Sequence, residues 1–231
     1  MYYFTHDQML DVIGNVNCRA RQEIDEIGTL VGLNLIINTV LDTEMNVIGV
    51  FCGHHIQAHR EGVKFAEKYL CPKIPRKADI VIVSAYPNHV DYWQGMKPLV
   101  FSFLGLKRGG TAIYVFDPPE GLCNNSPAHR ETLRHYLDKD KETVLKDLKD
   151  GKITDQVGII NPLGHYQMRE YANTICMTNH LTEEECRLLG WTKIDTFEDA
   201  LEEAFRRQGR EAKIGVIPMS GETVVKCTEE S

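Results

Sequence analysis

Gln94 and Lys97 stand three positions apart in the stretch Asp91-Tyr92-Trp93-Gln94-Gly95-Met96-Lys97. On a helix, that spacing projects an amide and an ammonium from one face. An ammonium neutralises a carboxylate through a charge-assisted hydrogen bond, and an amide bonds either a carboxylate or a hydroxyl. The pair therefore suits a small molecule carrying both groups, such as a 2-hydroxy acid. Spacing alone would equally describe a solvated helix face. Position argues for binding: a buried-type strand, Ala78 to Ser84, leads into the pair through a short loop, and α/β sheets hold ligands beyond the carboxyl ends of their strands. Tyr86 in that loop and Trp93 at the helix start are the aromatic candidates for lining the site.

Other polar groups invite chemical readings. His55 and His59 fall one helical turn apart, a spacing that suits zinc or nickel, and His54 precedes them. No third ligand follows nearby, so polar residues at a helix start are the simpler account and no metal is assigned. Asp117 and Glu120, in Asp117-Pro118-Pro119-Glu120-Gly121, follow a second buried-type strand and would lie near the same sheet edge as Gln94; a rigid turn is the simpler expectation. His165 and Tyr166 open a helix and could touch substrate, with surface exposure expected instead. Gly109-Gly110 precedes a strand and lacks the G-x-G-x-x-G order of a dinucleotide site.

The elements that must position these residues follow from periodicity. Ile24, Ile27, Leu30 and Val31 recur at helical spacing over 19–31, with Gly32 as the stop. Apolar runs at 33–41 and 46–51 around the polar turn 42–44 predict a hairpin, and a helix follows over 56–69. Pro72 and Pro75 mark a linker. Strand 78–84, helix 93–106 and strand 111–116 form a βαβ unit, which predicts a parallel sheet with helices on its faces. Beyond it come a helix over 130–148, a helical segment at 168–172, a short strand at 173–178, a helix over 196–208 and closing strands at 212–218 and 223–226. Arg206, Arg207, Arg210 and Lys213 with Glu198, Glu202 and Glu203 predict an ion-paired helix face.

Bulk properties narrow the function classes. The 231 residues are 42% hydrophobic and 26% charged, enough for real cores. A net charge of -7 with no basic patch argues against nucleic acid as a partner. No apolar stretch is long enough for a membrane span and nothing reads as a signal peptide, so no membrane and a cytoplasmic location are the default expectations. Seven scattered cysteines without a C-x-x-C pair suit reduced thiols.

Three stretches together are similar to the lactate racemase family. Leu35 to Asp42, Val47-Ile48-Gly49, Gly53, Ala58-His59 and Gly62 resemble the segment preceding the family's C-terminal domain. Ala78-Asp79-Ile80-Val81-Ile82, Pro87, Asp91, Gln94, Lys97, Gly109-Gly110-Thr111 and Glu120-Gly121 resemble the core of that domain, and Thr196 to Pro218 resembles the closing helix and strand. The likeness covers nearly the whole chain but only the C-terminal half of the family's usual length.

What the resemblance implies is racemisation or epimerisation of a 2-hydroxy acid by hydride transfer to a nickel-pincer nucleotide, with Gln94 and Lys97 orienting and neutralising the substrate. The lysine that carries the cofactor, the nickel-ligating histidine and the proton-moving histidines belong to the family's other half and would fall before or at about Met1. This chain would bind no cofactor covalently. Its partners would be a 2-hydroxy acid or polyol acid and the missing N-terminal half, on the same gene or a separate chain. The alternative is a non-catalytic binding module or subunit that needs a partner chain. Relatives carry paired glycines before the proline, whereas Ser84-Ala85-Tyr86-Pro87-Asn88-His89 is bulkier and one residue shorter, which implies a preference other than lactate. The expected architecture is α/β: residues 72–190 as a substrate-clamping domain with a mostly parallel sheet, inserted into a remnant of a larger α/β domain made of residues 1–71 and 191–231.

Overall fold

The computed structural model describes residues 9–122 and 126–229. A single turn of helix, α1 (Met9–Val12), leads into α2 (Arg19–Leu30), the hairpin β1 (Ile36–Leu41) and β2 (Val47–Gly53), and α3 (His55–Leu70). The hairpin is antiparallel, with Asn38 opposite Phe51 and Val40 opposite Gly49. Phe51 turns to α3, where its ring meets Phe65 at 5.4 Å. Alternation along the strands therefore gives α3 one face of the hairpin and leaves the other bare.

A short strand β3 (Lys73–Ile74) crosses to the second unit, a five-stranded, wholly parallel sheet of β4 (Ala78–Ser84), β5 (Leu106–Val115), β6 (Asn173–Met177), β7 (Thr192–Lys193) and β8 (Ile214–Ile217), in the order β7-β6-β5-β4-β8. The crossover from β4 to β5 runs through α4 (Tyr92–Ser102) and a turn of 3-10 helix at Phe103–Gly105. Then come α5 (Pro127–Tyr136), α6 (Lys141–Lys149), α7 (Ile160–Tyr171) and α8 (Glu183–Leu188), while α9 (Phe197–Gln208) precedes β8 and β9 (Lys226–Cys227) pairs with β3.

Strands this apolar are buried on both faces. Ile80, Ile113 and Ile175 point to Ala200 and Ala204 of α9. Val81, Val83, Ala112 and Tyr114 point the other way, to Leu99 and Val100 of α4, Met168 of α7, and Trp191. Fully burying one such aliphatic side chain contributes about 1.5–3 kcal/mol, so these two layers hold the carboxyl ends of β4 and β5 in fixed positions.

Two expectations change. The helix expected over 130–148 is two helices, because Asp140 Oδ1 accepts from Thr143 N at 2.8 Å and caps a new start at α6. Strand β5 begins at Leu106, and a register jump from Ala78–Leu106 to Ile80–Thr111 absorbs the residues read as a turn. Within residues 191–231, β8 pairs with β4 and α9 covers the sheet, while Val224 N donates to Leu70 O at 2.9 Å and Lys226 Nζ to Glu67 Oε1 at 2.7 Å.

Candidate active-site face

Helix α4 starts beyond the carboxyl end of β4, and three contacts fix its rotation. Asp91 caps it, its Oδ1 accepting from Gln94 N at 2.8 Å. Tyr92 is fully buried, with its hydroxyl 2.6 Å from His165 Nδ1. Gly95 lies so close to the sheet that a Cβ there would come within 2.2 Å of Phe116, and the Tyr114 hydroxyl donates to its carbonyl. With Tyr92, Gly95 and Met96 turned inward, Lys97 is exposed, Gln94 is half-buried, and Trp93 is half-buried against the edge of the core. Lys97 Nζ donates to Gln94 Oε1 at 2.7 Å. Pro98 sits inside the helix and has no N–H for the Gln94 carbonyl, which loses its usual helical partner. Ser220 Oγ anchors the turn by donating to the Pro98 carbonyl at 2.6 Å.

The loops after β4 and β5 are stitched to each other, Glu120 N donating to Val90 O at 3.0 Å and Tyr92 N to Gly121 O at 2.9 Å. Tyr86 is exposed and stacks on His89, with ring centroids 5.6 Å apart. Beneath this rim, Asn88 Oδ1, His89 Nδ1 and Glu120 Oε2 are shielded from solvent with no hydrogen-bond partner. Buried polar atoms are nearly always partnered, so this rim carries unspent hydrogen-bonding capacity.

Next to the pair stands a residue that spacing did not reveal. His129, in the first turn of α5, stacks on Trp93 with centroids 5.2 Å apart and planes at 19°. Its Nδ1 is 2.8 Å from Asp155 Oδ2, and Asp155 Oδ1 accepts from Gly158 N at 2.8 Å. Burial would raise the Asp155 pKa, but these bonds outweigh it and hold the carboxyl below its usual value. The carboxylate orients the ring and leaves Nε2 as its second functional atom. Three elements far apart in sequence build this group, so no local motif signals it.

The remaining candidates are structural. His165 is wholly buried in α7 and not on the surface, because the helix packs nearly all round. Its Nε2 is 2.5 Å from Leu189 O, and burial lowers its pKa to about 3. Tyr166 is also buried, its hydroxyl donating to Tyr136 O. Asp117 accepts from Asn179 N and His180 N and lies 2.8 Å from His180 Nδ1. Burial would raise its pKa, yet these bonds hold it at about 2, so it staples the loops after β5 and β6. Both ring nitrogens of His55 face inward partners, Nδ1 lying 3.1 Å from Leu33 O and Nε2 3.2 Å from Asp25 O and 3.3 Å from Thr29 Oγ1, and His59 Nδ1 faces Arg60 Nη1 at 2.8 Å. His54 caps α3 by accepting from Ile56 N at 3.3 Å.

Two cavities stand out, one of about 740 Å³ lined by Arg134, Arg169, Glu185 and Arg187, and one of about 600 Å³ between β3 and β8. Gln94 and Lys97 line neither.

No known family profile matches the chain. Among curated proteins it is 27% identical over 200 residues to the lactate racemase of Lactiplantibacillus plantarum, covering 84% of this chain and 45% of that one. It is 23% identical over 204 residues to the lactate racemase of Thermoanaerobacterium thermosaccharolyticum, again over 84% and 45%. The chain is similar to the C-terminal half of lactate racemase. It spans about half the length of the curated relatives it matches. The fold agrees: the lactate racemase apoprotein from T. thermosaccharolyticum superimposes with a TM-score of 0.78 over 91% of this chain and 50% of that one, at 21% identity. A Thermotoga maritima protein superimposes with a TM-score of 0.64, covering 93% and 55%, at 18% identity. The α/β architecture is thus lactate racemase-like, and among the described residues no helix is long and apolar enough to cross a membrane.

Proposed function

We propose that this chain is the substrate-clamping half of a racemase or epimerase acting on a 2-hydroxy acid or polyol acid. The observation carrying it is the Lys97–Gln94 pair, displayed outward on a helix that Tyr92 and Gly95 lock to the sheet. Lys97 takes the substrate carboxylate, and displacing Gln94 Oε1 from the ammonium frees the amide for the hydroxyl. Trp93 and Tyr86 cover apolar parts of the ligand. His129 Nε2, steadied through Asp155, adds a donor or acceptor for a further hydroxyl. The unpartnered atoms of Asn88, His89 and Glu120 favour a ligand with more hydroxyls than lactate.

Among the described residues, no group of three His, Cys, Asp or Glu side chains could hold a metal ion. The residues of this face suit a carboxylate and hydroxyls, and the nickel-pincer nucleotide would be held by the half that the chain does not span. The second reading, a binding subunit inert without a partner chain, is favoured by the place of Gln94 and Lys97 outside both cavities.

The test is Lys97→Ala in a complex containing the other half and its cofactor, with interconversion of 2-hydroxy acid stereoisomers followed by chiral chromatography. The expected loss in kcat/KM is at least about a hundredfold, the scale of removing a charge-assisted anchor. Unchanged turnover and affinity would end the reading. Binding that depends on Lys97 without any turnover would favour the subunit.

A further inference from the structure

Helix α2 is amphipathic in the wrong sense for a solvent-facing helix. The side it turns towards α3 carries Asp25 and Gly28, both buried. Asp25 is held there by Arg21 at 2.6 Å and by Arg60 of α3. Gly28 allows the close approach, since a Cβ would come within 2.8 Å of the His55 ring. The side α2 turns outward carries Ile24, Ile27, Leu30 and Val31, at 54%, 58%, 84% and 73% exposure. A helix that buries its ions and shows solvent its aliphatic stripe is a helix seen without one of its neighbours.

The bare surface continues along the chain. Leu33 and Leu35 in the connector are exposed, and so are Ile37, Val47 and Val50 on the hairpin. Ile37 faces Cys52 and Thr39 faces Val50 across the ladder, so these pairs form the side opposite the one α3 covers. A two-stranded hairpin packed on one side only is marginal by itself. The central strands of the five-stranded sheet, by contrast, are covered on both faces, with Ile214 and Val216 of its edge strand β8 exposed.

We infer that the outward stripe of α2 and the bare face of the β1–β2 hairpin together form the docking surface for the half of a lactate racemase that this chain does not span. The occupant is argued from length: the matches to both relatives leave more than half of each relative outside, and the longest continuous run of uncovered aliphatic side chains, Ile24 to Val50, lies in the unit ahead of β3, while those beyond it, such as Val157 and Val216, are scattered. The occupant is therefore an α/β polypeptide presenting a complementary aliphatic face, whether joined covalently or supplied as a second chain. This inference rests on the reading of the chain as one half of a racemase. It adds the place where the halves meet.

The experiment co-expresses this chain with the unspanned half of the T. thermosaccharolyticum lactate racemase as the probe and resolves complexes by size-exclusion chromatography with light scattering. Wild-type chain is expected to give a one-to-one complex, and Ile27→Lys with Val50→Lys to weaken it at least tenfold. Both positions already face solvent, so the thermal unfolding midpoint of the isolated variant should match wild type. Lys97→Ala is expected to leave the complex intact. A complex that survives the double substitution, no complex at all, or a homodimer abolished by the same substitutions would each overturn the inference. A complex that forms through this face yet is inert on 2-hydroxy acids would sink the functional reading and leave the docking surface standing.

Discussion

The Tyr92 hydroxyl meets Nδ1 of the wholly buried His165 at 2.6 Å, joining the helix that displays Gln94 and Lys97 to a helix on the far side of the crossover. His165 Nε2 faces the Leu189 carbonyl, so that nitrogen carries the proton and Nδ1 accepts from the tyrosine. The ring must stay neutral to serve both contacts.

That requirement sets a pH dependence. Burial lowers the His165 pKa from the usual 6.5 to about 3. Above pH 6.5 the ring is neutral in both states and the full stability is present. Below it the unfolded chain binds a proton that the folded chain refuses, and stability falls by about 1.4 kcal/mol per pH unit towards the folded value. Urea unfolding at pH 7, 6 and 5 should show this slope, and His165→Gln should flatten it. A variant that loses stability in parallel with wild type over that range would exclude the ring as the source.

Gly95 makes a steric prediction. A methyl group there would lie 2.2 Å from the Phe116 ring, so Gly95→Ala must push α4 off the sheet. Overpacking of this kind costs about 1–3 kcal/mol, and pairing it with Phe116→Leu should recover part of the loss. The two-substitution cycle in urea decides the matter: strict additivity would mean that the contact does not govern the helix.

The sheet and the α4 crossover were legible because their signals are local. Ala78 to Ser84 and Thr111 to Phe116 are continuous β-branched and apolar runs, and a strand–helix–strand order has few solutions. The Gln94–Lys97 pair was legible for the same reason, lying within one helical turn. His165 was misread because the apolar neighbours that bury it, such as Trp191 and Leu189, come from other elements. His129 was missed because its ring is oriented by Asp155 and stacked on Trp93, contacts that only the tertiary fold creates. The pairing of β8 with β4 was not legible because a four-residue edge strand says nothing about which sheet it completes.

His129 supplies a prediction of its own. If Asp155 acts by holding the ring, Asp155→Asn should lower kcat/KM about tenfold in the complex with the other half, an effect of the size expected for lost orientation. Asp155→Glu should restore part of it, and a His129→Gln background should make Asp155→Asn nearly silent. Equal losses from Asp155→Asn with and without His129 would show that the carboxylate only supports the fold around Gly158.

Asp25 carries the last prediction, because its ion pairs decide which side of α2 faces outward. Burial would raise its pKa, but Arg21 and Arg60 hold it below 3.8, so this contribution is present above the usual carboxylate range and disappears as pH falls through the lowered value. Arg21 and Arg60 keep 20% and 24% of their side chains in solvent, so losing the carboxylate they share costs about 1–3 kcal/mol. Asp25→Asn should therefore speed amide hydrogen exchange across α2 and the start of α3 while leaving β4, β5 and β6 protected, since their core shares none of these contacts. Uniform loss of protection over the whole chain would mean that the two units unfold as one. Unchanged exchange in α2 would mean that its orientation does not depend on the buried charge, and the account of its outward aliphatic stripe would need another cause.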